Sequence, residues 1–172
     1  ALRWSAAGSS ASLTAYQNNV RDLIQFECDA NYNCAPQNVA KARLRGVTIA
    51  GAMPLGPLRV DGNVDIADPR NTSSDGLLAR RAREHGALKL SGAVLGVTAG
   101  VELLASGKRF DNAANSRVLP GYAVLNLYAS KPVWPGVRLG VRIENATDRD
   151  YQLAYGYATG GRRAWLTLAV DR

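Results

Sequence analysis

The sequence predicts an all-β chain: an antiparallel up-and-down β-barrel of the transmembrane kind. Three observations predict it. Segment after segment alternates between apolar and polar residues, most clearly where Leu58, Val60, Val64 and Ile66 share one parity and Arg59, Asp61, Asn63 and Asp65 the other. That is the period of a strand with two unlike faces. The connections alternate between short turns and long polar loops, the asymmetry of outer-membrane barrels, whereas a soluble up-and-down barrel has no reason to sort loop length by side. Finally, 47% of the 172 residues are hydrophobic, yet no apolar run approaches the ~18 residues of a membrane helix.

Ala1 to Ser5 reads as the end of a strand, Ala7–Ser10 as a turn, and Ser12–Phe26 as a long strand whose alternation breaks near Asn18 and Asn19, where a bulge would reset the phase. Glu27–Gln37 reads as a polar loop. In the strand Val39–Ala52, Lys41, Arg43 and Arg45 share a parity with Val47 and Ile49. One face is not expected to turn from basic to apolar, so a second bulge is placed at Gly46. Met53–Pro57 is a turn, Leu58–Ile66 a strand, Asp68–Gly76 a polar loop, and Leu78–Ser91 a strand whose first half carries Arg80, Arg81 and Arg83. Gly92–Gly96 is a turn into the strand Val97–Gly107, Lys108–Pro120 a long loop, Gly121–Ser130 a strand, and Lys131–Gly136 a turn. The last hairpin sets Val137, Leu139, Val141 and Ile143 against Ala164, Leu166, Leu168 and Val170. Trp4 and Trp134, near the short turns, suit an aromatic interface girdle.

The formal charge is +7, from 21 basic and 14 acidic residues. A nucleic-acid surface needs a basic cluster with stacking aromatics. Here the basic residues are spread over polar strand faces and loops, as a charged lumen or a lipopolysaccharide-facing rim would spread them, so no nucleic-acid partner is expected. Cys28 and Cys34 flank a short polar segment. A disulfide closing a small loop, which implies an oxidising compartment, is the first reading; two free thiols are the second. A zinc site needs four ligands, and the chain has one histidine. That histidine, His85, has no serine or cysteine at motif spacing, which argues against a catalytic base and nucleophile. Gly160-Gly161-Arg162-Arg163 lacks the Gly-Lys-Ser/Thr of a phosphate loop and reads as a turn closing the last long loop. No enzyme and no cofactor are implied.

Ordered motifs add a resemblance. Asn145-Ala-Thr-Asp-Arg-Asp-Tyr151, then Tyr155-Gly-Tyr157, then Gly160-Gly161-Arg162 and a terminal alternating strand resemble the C-terminal end of a TonB-dependent outer-membrane receptor. The Tyr-Gly-Tyr version is most similar to the vitamin B12 (cobalamin) receptors. Tyr16–Ile24, Lys41–Val47, Gly56-Pro-Leu58 and Leu78–Ala82 agree in the family's order, so the resemblance covers nearly the whole chain. Three positions depart from the pattern: Ala146-Thr147 stands for Leu-Phe, Phe110–Asn115 lacks a tyrosine, and Arg172 holds the outward position where the last strand ends in phenylalanine.

The resemblance implies a barrel of about 22 strands closed by a plug, of which residues 1–172 supply about nine strands at roughly ten residues each, as the C-terminal portion. The plug and the box that couples to TonB lie outside this sequence. It further implies residence in the bacterial outer membrane, contact with its lipid, and capture of a scarce nutrient, most closely cobalamin, at the cell surface for TonB-driven import. By position in the motifs, Tyr157 and Arg80 are the expected ligand contacts, with Tyr155 beside them. A ferric-siderophore receptor, a complete small outer-membrane barrel with an adhesin or structural role, and a soluble barrel around a small apolar ligand are the alternatives.

Overall fold

The alternation in the sequence becomes the two faces of one sheet. The computed structural model describes residues 1–28 and 33–170. Nine strands pair antiparallel with their neighbours in sequence: β1 (Leu2–Ala6), β2 (Ser9–Cys28), β3 (Cys34–Leu55), β4 (Leu58–Asn71), β5 (Glu84–Val94), β6 (Val97–Ser106), β9 (Tyr122–Trp134), β10 (Val137–Glu144) and β11 (Arg163–Val170). Two short strands, β7 (Arg109–Phe110) and β8 (Val118–Leu119), pair with each other inside the loop between β6 and β9. Among the described residues the sheet is open, with β1 and β11 at its edges.

Register carries each apolar row across the wall. Leu2, Leu13, Ile49 and Val64 are successive partners, and so are Leu90, Val101, Leu127, Ile143 and Ala164. These rows face outward; Leu2 is 72% exposed and Ile49 54%. The opposite parity is polar. Glu102 accepts from Asn126 Nδ2 (2.9 Å) and pairs with Arg142 (2.7 Å), while Glu144 takes Arg142 Nε (3.3 Å) and Trp165 Nε1 (3.1 Å). Asp65, 8% exposed, accepts from Tyr16 Oη (3.0 Å) and Thr48 Oγ1 (2.5 Å), with His85 Nδ1 at 4.0 Å. Only Ala42, Pro69, Leu78, Leu119 and Val124 are buried apolar residues among those described. A large exposed apolar face opposite a self-paired polar face is the wall of a membrane barrel. A hollow of about 760 Å³ lies against the sheet, lined by Ser12, Asp61, Asn63, Lys89 and Glu102 among others.

The short connections are tighter than the sequence suggested. The turn residues are Ala7-Gly8, Gly56-Pro57, Leu95-Gly96 and Pro135-Gly136. In Ala7-Gly8 and Leu95-Gly96 both φ angles are positive (48° and 77°; 52° and 76°), which matches the right-handed twist of the flanking strands. Trp4 and Trp134 stand outward near this end, 57% and 75% exposed. The one bulge here lies in β9, where register slips between Arg138↔Pro132 and Val137↔Trp134; Pro132 has no N–H to give the ladder.

Four expectations need correction. No bulge occurs at Asn18–Asn19, because pairing runs unbroken through Asn18↔Leu44 and Asn19↔Arg43. None occurs at Gly46, which pairs Tyr16 on one side and Ala67 on the other in continuous register. The physical reason is length. With 20 and 22 residues, β2 and β3 extend roughly 65–70 Å, far beyond a hydrocarbon core of about 30 Å. Their outward faces leave lipid, and the apolar code stops without any change of side. For the same reason the described ends of the polar segment Glu27–Gln37, residues 27–28 and 34–37, are strand. Cys28 and Cys34 form the final rung of that hairpin, but their side chains, the intervening residues 29–32 and Arg172 lie outside the described residues. Lastly, the strand expected from Leu78 begins only at Glu84.

Gly46 has a different role. A Cβ there would lie 2.6 Å from both Ile66 O and Tyr16 Oη, so the tyrosine ring covers the bare backbone of its cross-strand partner. Gly100 and its partner Tyr128 repeat the arrangement. Gly46→Val is therefore expected to cost about 1–3 kcal/mol and to lower the folded, heat-modifiable fraction in membranes; unchanged folding refutes this role. The isolated chain, with two open edges and an apolar outer face, is expected to self-associate in water by light scattering and to disperse in detergent. A stable soluble monomer refutes the lipid-facing assignment.

Candidate functional site

Three long connections, residues 72–83, 107–121 and 145–162, leave the same end of the sheet as the β2–β3 hairpin tip. In a membrane barrel this is the extracellular end. Each connection is built by polar side chains on backbone groups, which stands in for a hydrophobic core. Asn112 Oδ1 accepts from Ser116 N and Arg117 N, both at 3.1 Å, and so folds the tip between β7 and β8. Asn145, with φ 51° and 3% exposure, receives Arg149 N (2.8 Å) and gives Nδ2 to Arg149 O (2.9 Å). Asp148 Oδ1 then receives Arg162 N at 2.7 Å. Asp148 thus holds Arg162 at the base of the last loop, but Gly160 and Gly161 form no turn of their own, contrary to the turn reading of Gly160–Arg163; the turn of this loop lies at Tyr155-Gly156.

The three connections are tied to one another. Asp111 Oδ1 accepts from Arg80 Nε (2.9 Å) in the first and from Tyr155 N (3.1 Å) in the last. Arg80 N also donates to Phe110 O (2.6 Å). Asn115 makes two bonds to the Leu77 backbone, at 2.8 and 2.9 Å. The Arg117 guanidinium stands 4.2 Å from the centre of the Tyr155 ring, a cation–π contact. Arg109, 5% exposed, gives Nη2 to Gln152 O (2.6 Å) and lies over Tyr122, whose ring packs on Tyr151 at 4.3 Å. A cleft of about 510 Å³ opens beside this aromatic pair, lined by Pro120, Arg149, Asp150, Tyr151 and Thr159 among others.

Of the expected contact residues, Arg80 and Tyr155 meet at Asp111, while Tyr157 stands apart at 73% exposure. Arg80 is not at the head of a strand. It sits in a loop with φ 59°, held by Phe110 O and by the buried Leu78 two residues earlier. Its side chain is 51% exposed and paired through Nε, which leaves its other N–H donors for a further acceptor. Asp111, Arg117 and Arg109 were not singled out from the sequence. They fall in a loop with no periodicity, and their partners are 31 to 44 residues away in the chain.

An open antiparallel sheet, apolar on one face and charged on the other, with tight turns at one end and knitted loops at the other, is part of the wall of a transmembrane β-barrel of the outer-membrane type. Comparison with known proteins narrows this. Residues 1–146 match the family described as TonB dependent receptor-like, beta-barrel. The chain belongs to this family of transport receptors, and it is a protein of the bacterial outer membrane.

Solved structures agree on the fold. The copper transporter OprC superposes with a TM-score of 0.82 at 19% identity, over 99% of this chain and 30% of that one. The siderophore receptor PiuA from Acinetobacter baumannii gives 0.75 at 18% identity, over 98% of this chain and 27% of that one. The ferric enterobactin receptor PfeA from Pseudomonas aeruginosa gives 0.78 at 17%, over 98% and 29%. The chain therefore spans about 30% of the length of the structures it matches.

Removing the shared acceptor should loosen two loops together. Asp111→Ala is expected to raise amide exchange at Arg80 and Tyr155 by roughly tenfold, the loss of about one charged hydrogen bond, while the β4–β5 ladder is unchanged. Faster exchange in only one loop refutes the shared tie.

Proposed function

We propose that residues 1–172 form the C-terminal barrel wall and part of the extracellular ligand mouth of a TonB-coupled importer, with cobalamin as its ligand. The observation that carries this reading is the convergence of three loops on Asp111 at the open end of the bore, with Arg80, Arg117 and Tyr155 around it; Tyr157 stands exposed in the same loop as Tyr155. Flat aromatic rings stack on a flat macrocycle, and half-exposed guanidinium groups hydrogen-bond phosphate and amide oxygens. A corrin with amide side chains and a phosphodiester offers both. In this reading the ligand is captured from outside, and a plug carried elsewhere in the receptor moves when TonB transmits the proton-motive force. No bond is made or broken, so the protein is not an enzyme. A disulfide between Cys28 and Cys34 would close the tip of the β2–β3 hairpin outside the cell.

A second reading takes a ferric siderophore or a metal complex as ligand, favoured by the relatives OprC, PiuA and PfeA, which are copper and siderophore proteins. The two separate in an equilibrium titration of the full-length receptor in detergent with calcium, against cyanocobalamin and against a ferric siderophore. Saturable cobalamin binding, weakened about tenfold or more by Tyr157→Ala, is expected. Siderophore binding without cobalamin binding overturns the ligand and leaves the importer standing.

A further inference from the structure

The outer face of β2, β3 and β4 changes chemistry at one level. It is apolar up to the row Ala15, Val47 and Ile66. The next outward row holds Gln17, Arg45 and Asp68; the one beyond holds Asn19, Arg43 and Arg70; then come Arg21 and Lys41. At about 3.3 Å per residue, these three rows cover roughly 13 Å directly above the apolar band, where lipid headgroups begin. The cations are local: at this end of β5, β6 and β9 the same face carries Glu84, Ala105 and Ala123.

Two of the rungs set like charges directly opposite, Arg43↔Arg70 and Arg21↔Lys41, an arrangement that destabilises a sheet. The carboxylates nearby relieve part of it. Asp68 takes Arg45 (3.0 Å) and Arg70 (2.8 Å), and Asp75 takes Arg70 at 3.4 Å; Asp22 lies at the upper margin. Arg43 Nε is buried without a hydrogen-bond partner, while Arg21 and Lys41 are exposed beside it.

We propose that this patch binds the phosphorylated diglucosamine headgroup of an outer-leaflet glycolipid, lipid A of lipopolysaccharide. A dianionic phosphate between Arg43 and the Arg21–Lys41 rung turns both repulsive rungs into attractive ones, and arginine meets phosphate with paired N–H donors. The choice of an amphiphile over a soluble anion or an acidic protein follows from continuity. Acyl chains anchored below this patch run along Leu13, Ile49 and Val64, which are 43%, 54% and 50% exposed, so one molecule covers the cations and the apolar row beneath them. The proposal rests on the outer-membrane location and is independent of the ligand at the loops.

The test is native mass spectrometry of the full-length receptor in detergent, with bisphosphorylated lipid A, its dephosphorylated form and phosphatidylglycerol as probes. Bisphosphorylated lipid A is expected to be retained, and about tenfold or more better than either of the others. Excess inorganic phosphate should not displace it. The triple variant Arg21→Gln/Lys41→Gln/Arg43→Gln should lose that preference, while Lys131→Gln at the opposite end keeps it. Equal retention of the phosphorylated and dephosphorylated forms overturns the proposal, and this arm needs no variant. Equal retention of phosphatidylglycerol, displacement by free phosphate, or a triple variant that folds and keeps the preference also overturns it.

Discussion

A backbone in hydrocarbon must close its own hydrogen bonds, and nearly everything in this chain follows from that constraint. It makes each strand pair with its chain neighbour and holds the register through long ladders, eighteen residue pairs in the β2–β3 case, where only Asp22 is skipped. Register then decides which residues share a face, so one alternating code sends Val47, Ile66 and Leu127 to lipid and Asp65, Glu102 and Arg142 to the bore. Tyr16 over Gly46 and Tyr128 over Gly100 belong to the same logic. At these two bore-side glycines a neighbouring ring shields the ladder from competing water.

Above the membrane the constraint lifts and a different chemistry takes over. The loops do not bury an extensive apolar core; they are held by asparagine and aspartate side chains on backbone groups, with Asn112, Asn115, Asn145 and Asp148 each at a turn. These ties fix the base of each loop, and Asp111 joins the loops to each other. The result is a mouth whose anchors are firm while Tyr157 stays open to solvent.

What was legible in the sequence divides along the same line. Inside the membrane the two faces meet solvents of opposite character, so Leu58 to Ile66 and Val137 to Ile143 could be read directly, down to which residue points outward. Outside it both faces meet water, and the code fell silent. The bulges assigned to Asn18–Asn19 and Gly46 interpreted that silence as a change of side, and the Arg80 strand mistook a tethered loop for the start of β5. The turn expected at Gly160–Arg163 was misplaced for a related reason: the tie there runs from Asp148 to Arg162 N across 14 residues, and the turn of the loop lies at Tyr155-Gly156. Asp111 went unread because its partners come from other loops and no local pattern announces them.

Part of the inner wall settles its own charges: Glu102 and Glu144 answer Arg142, and Asp65 is satisfied by Tyr16 and Thr48. Arg3 and Arg138, on the same face, have no ion-pair partner among the described residues. The face is therefore a mosaic. Rows of neutralised charge give an anion nothing to hold, and single guanidinium groups between them do.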